Sequence, residues 1–136
     1  MKVVFCFAGK TSPGPIRESV EEYRKRITKY VPVEVIEAKN IRTQTREGVH
    51  VVLAPGGNSL TSEGLAQLLE RHLNAGTKNL FFYTGGPDGF PAEVLEKADL
   101  SLSLSCMTFN HQLIRVMLLE QVYRAFTIIH REPYHR

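Results

Sequence analysis

Cysteine is scarce in this sequence, and its few thiols are not arranged for cross-linking or for metal binding. Only Cys6 and Cys106 occur in 136 residues, and there is no CxxC pair and no cluster of histidine and cysteine. A disulfide framework or a structural zinc site needs more ligands at closer spacing. We therefore predict no disulfide and no metal site, and we interpret Cys6 as a small buried hydrophobe.

Long apolar runs are also missing. No stretch approaches the roughly 18–20 apolar residues that cross a bilayer, and the N-terminal run Val3–Ala8 is too short for a signal peptide and precedes no cleavage site. This run predicts the first buried strand of a cytoplasmic protein. With 43% hydrophobic and 23% charged residues, the chain is typical of one folded domain spanning residues 1–136.

The positive charge is mild and contains no Lys/Arg block. The net charge is +3, and the last third is rich in basic residues with few acids: Arg115, Arg124, His130, Arg131, His135 and Arg136. Such an excess is compatible with an RNA partner but does not identify one. A solvated helix face followed by a frayed tail explains the same residues.

Apolar runs alternate with segments of helical period along the chain. The predicted strands are Val3–Phe7, Val33–Ala38, Val49–Leu53, Leu80–Tyr83 and a fifth from Leu100. The predicted helices begin at Pro15, at Thr61 or Ser62, at Pro91 and at about His111, with Gly76 ending the second and about Ala98 the third. This pattern predicts an α/β fold with a mostly parallel five-stranded sheet and helices on both faces.

The sequence makes a separate prediction for each of two connecting segments. Residues 39–48 are polar and barely long enough for a parallel crossover, so we expect at most a turn or two of helix there. Residues 55–58, Pro-Gly-Gly-Asn, predict a turn after the third strand. General rules of chain topology predict an unknotted, right-handed sheet.

The stretch from Leu100 to Phe126 changes period partway. Leucine and serine alternate from Leu100 to Ser105, which is a strand pattern, and residues 106–110 form a polar loop in which Thr108 or Asn110 can cap the helix that follows. A strand that leads into a polar loop and a helix start is the usual ligand-binding geometry of an α/β sheet.

Three loops therefore follow strands that we expect to be central: residues 53–58, 85–89 and 105–110. Gly85 and Gly86 would let the backbone approach a ligand closely, although a simple turn explains the pair equally well. The sequence has no GxGxxG fingerprint, no phosphate loop and no GxSxG elbow, so it shows no known nucleotide or nucleophile motif.

The C-terminal third resembles one family. The segment SLSLSCMTFNHQLIRVMLLEQVYRAF, residues 101–126, and the terminal EPYHR, residues 132–136, are similar to the C-terminal signature of the RlmH family. These are SPOUT-superfamily methyltransferases that act on pseudouridine in large-subunit ribosomal RNA. The resemblance implies a C-terminal trefoil knot, a homodimer and methyl transfer to N3 of a pseudouridine, on assembled ribosomes or large subunits.

The resemblance also implies that the three loops hold S-adenosylmethionine. The expected contacts are Leu53, Gly85, Gly86, Ser105, Cys106, Met107, Thr108, Phe109 and Asn110. Two positions depart from the family pattern: Ala54 replaces the usual aspartate, and Asn110 replaces the usual proline. The first change removes a carboxylate from the expected site, and the second leaves a fair helix cap.

The proton on N3 of pseudouridine must leave, so a basic group that accepts it or stabilises the anion is needed. The candidates are His111, Arg115, Arg124, Tyr134 and His135. Each candidate also has an explanation that involves no catalytic role. His111 would then simply belong to the first helical turn, both arginines would be exposed helix charges, and the tail would be disordered.

Two other functions fit the sequence less well. A non-catalytic ribosome- or RNA-binding relative would explain Ala54, and an unrelated nucleotide-binding enzyme would explain the glycines at the strand ends but not the tail.

Overall fold

A computed structural model of the protein describes all of residues 1–136 and contains five strands and four helices. The strands are β1 (Lys2–Ala8), β2 (Val33–Ala38), β3 (Val49–Ser59), β4 (Asn79–Thr84) and β5 (Leu100–Ser103). The helices are α1 (Pro15–Thr28), α2 (Ser62–Ala75), α3 (Ala92–Glu96) and α4 (Leu113–Ile129). None of the helices is both long enough and apolar enough to span a bilayer.

The sheet is built around β1, whose continuous apolar run is covered on both faces. The strand order is β2-β1-β4-β3-β5, and every neighbouring pair is parallel. Val3 to Phe7 are completely buried, and burial raises the pKa of the Cys6 thiol to about 12. The predictions of an α/β parallel sheet and of a buried Cys6 are confirmed.

The two faces of the sheet are covered unequally. Helices α1, α2 and α4 pack on one face, where their apolar side chains join those of the strands in a cluster of 20 buried residues. The other face is covered by α3 and the link 39–48, which contribute Val94 and Ile41 to a cluster of only seven. Helices do lie on both faces, as predicted, but one face carries a single five-residue helix.

The link 39–48 contains no helix and covers its face with individual side chains. Arg46 makes two hydrogen bonds to Glu34, of 2.9 and 3.0 Å, and its guanidinium lies over the ring of Phe81. The Tyr83 hydroxyl accepts a hydrogen bond from the Gln44 backbone N–H at 3.0 Å. It is also 2.8 Å from His50 Nδ1, and burial raises the pKa of Tyr83 to about 12.

The prediction of a simple turn at residues 55–58 is wrong. β3 continues to Ser59 and pairs with β5 twice, with a register shift between Leu53 and Asn58. The chain therefore bulges out after Leu53 and returns to the same neighbour. A Cβ on Gly57 would lie 2.8 Å from the backbone of Leu102, so glycine is required where the two strands approach this closely.

The predicted helix ends are mostly correct. Pro15 begins α1, the Thr61 hydroxyl caps α2 by accepting from Gly64 N–H at 2.9 Å, and Gly76 ends α2 in the left-handed conformation. The last helix begins two residues later than predicted, because the Asn110 side chain accepts from the Gln112 backbone N–H at 2.8 Å and forms a turn before it. The trefoil knot stays a prediction.

Candidate active site

A cleft of about 420 Å³ lies at the carboxyl ends of β4 and β5 and at the bulge of β3 after Leu53. The three loops predicted to hold a ligand meet there because the strands are parallel and neighbouring. Most of the residues expected to contact the cofactor line it: Leu53, Gly85, Gly86, Ser105, Met107, Thr108, Phe109 and Asn110. We call this space the cleft.

Cys106 is the exception among the expected cofactor contacts. Its side chain is exposed, and it does not line the cleft. The Ser105 hydroxyl accepts a hydrogen bond from the Met107 backbone N–H at 3.0 Å, so a tight turn places Cys106 at its outer corner. Motif position alone could not distinguish the inside of this loop from the outside.

The cleft is lined without any aspartate, glutamate, lysine or arginine. His111 is its only histidine, and Ala54 lies where the family pattern has a carboxylate. A ligand held here must therefore be recognised by backbone groups, hydroxyls, the Asn110 amide, the His111 imidazole and apolar surface. Such a lining, with a few polar groups that fix orientation, is typical of sites for small organic ligands.

The loop after β4 depends on two glycines for different reasons. The Gly89 N–H donates to the Gly86 carbonyl at 3.0 Å, which closes a turn with Gly89 at a φ of 79°. A Cβ on Gly85 would come within 3.1 Å of the Gly89 backbone, whereas a Cβ on Gly86 would meet only the Ala8 Cβ at 3.7 Å. Gly85 is thus needed for the turn, whereas a Cβ on Gly86 would make only an ordinary van der Waals contact at the edge of the cleft.

Several lining residues escaped the sequence analysis, among them Pro55, Thr84, Phe90 and Ser103. Thr84 is the most informative, since its hydroxyl is buried and has no hydrogen-bond partner within the protein. A buried polar group without a partner is costly unless a ligand or water satisfies it. The sequence feature that could have identified Thr84 as a cleft residue is its position as the last residue of β4, directly before Gly85.

Arg115 does not reach the cleft and is not an exposed helix charge. Its side chain is 0% exposed, and it donates to the carbonyls of Ala8 at 2.7 Å and Gly9 at 3.0 Å and to the Thr11 hydroxyl at 3.0 Å. Glu37 lies 3.7 Å away. Arg115 therefore holds the loop that follows β1.

The remaining candidates form a second group on α2, α4 and the tail, which we call the C-terminal cluster: Glu63, Glu120, Arg124, Tyr134 and His135. The Arg124 Nε and Nη2 atoms donate to one Glu120 oxygen at 2.9 and 2.6 Å, and the Tyr134 hydroxyl donates to the same oxygen at 3.3 Å. Arg124 Nη1 is 3.1 Å from His135 Nδ1, and His135 Nε2 is 2.7 Å from Glu63.

The tail is therefore docked against the helices rather than frayed. The Arg124 guanidinium lies 4.9 Å from the Tyr134 ring centroid, and the Tyr123 ring meets Tyr134 edge-on at 4.7 Å. Burial is the main cause that raises the pKa of Tyr134, and hydrogen bonding and the Glu120 charge add to it. The phenol thus stays protonated, and can stack or donate a hydrogen bond but not act as a base.

The five catalytic candidates consequently fall into three places. His111 lines the cleft, Arg115 is buried behind it, and Arg124, Tyr134 and His135 belong to the C-terminal cluster and line no part of the cleft. No group of three or more histidine, cysteine, aspartate or glutamate side chains is placed to hold a metal ion.

Comparison with known proteins identifies the family. The family model described as "Predicted SPOUT methyltransferase" matches residues 1–135. This chain belongs to the SPOUT methyltransferase family. It is an enzyme of the methyltransferase class, and the resemblance inferred from the C-terminal third is confirmed.

Its relatives match over their full length. The chain is 41% identical to "Ribosomal RNA large subunit methyltransferase H" of Coprothermobacter proteolyticus, covering all of both chains. It is 39% identical to the protein of the same name from Citrifermentans bemidjiense, covering 99% of each. The second alignment runs over 152 positions, which is longer than the 136 residues of this SPOUT methyltransferase.

Among solved structures, a probable methylase family protein from Haemophilus influenzae Rd KW20 has a TM-score of 0.62 at 9% identity. The match covers 99% of this SPOUT methyltransferase and 70% of that chain. At this identity the likeness shows the shared fold alone.

Proposed function

We propose that this SPOUT methyltransferase transfers a methyl group from S-adenosylmethionine to N3 of a pseudouridine in large-subunit ribosomal RNA. The observation that carries the proposal is the assembly of the family's three loops into one cleft while the family's tail motif forms a separate charged cluster. The full-length relatives named as large-subunit ribosomal RNA methyltransferases support the same reaction.

The residues of the cleft fit S-adenosylmethionine. Its volume lies within the ~300–1,000 Å³ of small-molecule sites, and the unpartnered Thr84 hydroxyl offers a hydrogen bond to a polar ligand. Gly86 lines the cleft and has no Cβ, which lets a ligand approach its backbone directly. The cofactor supplies a methyl group already activated by a sulfonium. The protein's task is then to align acceptor and methyl in line.

The C-terminal cluster suits the handling of the acceptor base. Arg124 is held by Glu120, which raises the Arg124 pKa, so the guanidinium stays charged and can stabilise the anion left when N3 gives its proton to solvent water. The protonated Tyr134 ring offers a stacking surface, as aromatic side chains do for unpaired RNA bases. His135 then closes over the base beside it.

A homodimer would bring these two groups of residues together. None of the cluster residues lines the cleft of its own chain, so we infer that the tail of one subunit completes the cleft of its partner. Leu113 at the start of α4 is 50% exposed and Met107 in the adjacent loop is 75% exposed, which is apolar surface for such an interface. Sedimentation should give about 31 kDa, twice the 15.4 kDa chain; an active monomer would contradict this arrangement.

Target choice would come mainly from the shape of a folded RNA. Phosphate contacts position RNA but carry no sequence information, and we propose that residues 1–136 form one methyltransferase domain. The substrate would therefore be the large subunit or the assembled ribosome in the cytoplasm, with one exposed base read at the cleft.

The test uses ribosomes from cells that lack this protein, incubated with the purified protein and labelled S-adenosylmethionine. We expect label on a single pseudouridine of the large-subunit RNA, located by nuclease digestion and mass spectrometry. A matched sample should come from cells that also lack the pseudouridine synthase for that position. Equal labelling of the uridine in that sample would show that the acceptor is not pseudouridine.

A further inference from the structure

Four exposed cations lie together where β1 and β2 end. Lys10 belongs to the loop after β1, Arg17 to the first turn of α1, and Lys39 and Arg42 to the link after β2. None of the four has a carboxylate within ion-pair distance, unlike Lys2, Arg24, Arg26 and Arg46, which are all paired. We call these four residues the basic edge.

The sheet geometry brings the basic edge together. Ala8 and Ala38 are partners in the parallel ladder, and the Gly9 N–H donates to the Ala38 carbonyl at 2.8 Å. The two loops therefore leave the sheet side by side. Arg17 contacts the loop after β1, since its Nη2 donates to the Thr11 carbonyl at 2.6 Å.

The carboxylate that faces this region is already engaged. Glu37, next to the end of β2, accepts a hydrogen bond from the Thr11 backbone N–H and lies 3.7 Å from the buried Arg115. Hydrogen bonding to Thr11 lowers the pKa of Glu37, and the charges of Arg115 and Arg17 add to this effect. Glu37 is thus engaged by Thr11, Arg115 and Arg17, while Lys10, Lys39 and Arg42 remain available to an external anion.

The first loop is held rigidly by the beginning of α4. Arg115 binds its carbonyls and the Thr11 hydroxyl, as described above. Gln112 adds two bonds: its Oε1 accepts from Ser12 N–H at 2.8 Å, and its Nε2 donates to the Lys10 carbonyl at 3.1 Å. Because α4 directly follows the cleft loop 105–110, the beginning of α4 holds both the loop that carries Lys10 and the loop of the cleft in place.

The basic edge and the cleft also face the same way. All five strands are parallel, so their carboxyl ends lie on one side of the sheet. The two regions adjoin at Gly86, where a Cβ would be 3.7 Å from the Cβ of Ala8, the last residue of β1. An RNA strand that places a base in the cleft would continue over the basic edge.

We propose that the basic edge binds the phosphates of the folded RNA that presents the acceptor base to the cleft. The inference rests on the proposed function and assigns its RNA contacts to particular residues. Cations fixed on a rigid loop lose little freedom on binding, and each phosphate they neutralise releases counterions. Arg115 is then a positioning residue that acts through the loop it holds, without touching RNA.

The test compares two charge reversals of equal size. The first variant, Lys10→Glu with Lys39→Glu, alters the basic edge. The control, Lys25→Glu with Lys29→Glu, alters two exposed lysines at the far end of α1, roughly 20 Å from its start at 1.5 Å per residue. Binding to unmethylated large subunits is measured with S-adenosylhomocysteine present, over a range of KCl concentrations. Calorimetry measures S-adenosylmethionine affinity, and thermal melting confirms folding.

We expect the first variant to bind subunits at least tenfold more weakly at low salt, with the slope of log K against log[KCl] reduced by roughly 1.5 for two lost phosphate contacts. Its cofactor affinity and the slope of the control should match the wild type. An unchanged slope in the first variant, or an equal reduction in both, would overturn the assignment. If the wild type binds subunits but transfers no methyl group, the proposed function fails while the basic edge stands.

Discussion

The cleft and the C-terminal cluster differ most in how they present polar groups. The cleft is lined by backbone groups, hydroxyls, one amide, one imidazole and apolar side chains, with no acidic residue, lysine or arginine. The C-terminal cluster consists of two carboxylates, an arginine, a histidine and a phenol, joined by hydrogen bonds of 2.6 to 3.3 Å. Both are built largely from the last third of the chain.

Under the proposed function, this difference corresponds to two tasks. A ligand held by backbone groups needs loops of fixed shape, so the determining residues are glycines and turn formers such as Gly85 and Asn110. An acceptor that loses a proton needs charge at a defined point, so the determining residues are side chains such as Arg124. Changes in one region should therefore affect cofactor binding, and changes in the other should affect turnover.

Deletion of residues 133–136 should have the largest effect. The truncated protein loses Tyr134 and His135, which we propose hold the acceptor base, and we expect turnover on large subunits to fall by about 100-fold, the range lost when a reacting group is misplaced by about 1 Å. Affinity for S-adenosylmethionine, measured by calorimetry, should stay within about twofold because no deleted residue lines the cleft. Normal turnover by the truncated protein would remove the tail from the reaction.

Substitution Gly86→Val should have the next largest effect, on binding alone. The new Cβ would make only an ordinary van der Waals contact with the protein, 3.7 Å from the Ala8 Cβ, and we expect the branched side chain to occupy part of the cleft. We expect S-adenosylmethionine to bind at least about tenfold more weakly, a loss of roughly 1.4 kcal/mol. The control is Gly56→Val, where a Cβ meets nothing within 4 Å and which lies outside the cleft. Equal affinities in a folded Gly86→Val protein would exclude this loop from the site.

Substitution Glu120→Gln should reduce turnover about three- to tenfold with little change in cofactor affinity. Glu120 binds both Arg124 and Tyr134, so its loss frees the two groups from their common position. Glu93→Gln is the matched control, since Glu93 forms a pair of the same spacing with the exposed Lys97. We expect kcat to fall while the KM for large subunits stays unchanged. Glu120→Asp should retain part of the turnover lost in Glu120→Gln. An equal effect of both glutamine variants would show that Glu120 has only a structural role.

The smallest effect concerns pH. His135 lowers the pKa of the Glu63 carboxyl below its usual 4.5. Because the folded-state pKa is depressed, this contact stabilises the docked tail above pH 4.5 and is lost as the pH falls through the lowered pKa. Tyr134 ring shifts, followed by NMR from pH 7 to 3, should report a transition below pH 4.5. Glu63→Gln should remove it, and an unchanged titration in that variant would assign the transition to another group.

Much of the fold could be predicted because local patterns and tertiary contacts agree. The apolar run of β1, the proline that begins α1 and the Thr61 and Gly76 caps of α2 act within a few residues. Errors arose where distant residues decide the conformation. β3 runs through a Pro-Gly-Gly segment because β5, more than 40 residues later, pairs with it on both sides of the bulge.

The candidate site divides in the same way. The loops of the cleft could be located from strand ends alone, since parallel neighbours place those ends together. The burial of Arg115, the outward position of Cys106 and the unpartnered Thr84 hydroxyl could not be predicted. Each depends on which atoms of another element come within hydrogen-bond distance.

The sequence by itself determined the α/β class, the three ligand loops and the family, because periodicity, glycine placement and the C-terminal motifs are properties of short segments. Only the tertiary structure decided that Arg124, Tyr134 and His135 gather around Glu120 and Glu63, away from the cleft, and that Arg115 and Gln112 hold the loop carrying Lys10. The physical reason is that hydrogen bonds and ion pairs between residues far apart in the chain depend on distances of a few ångströms. Those distances are fixed only when the sheet and its helices pack together.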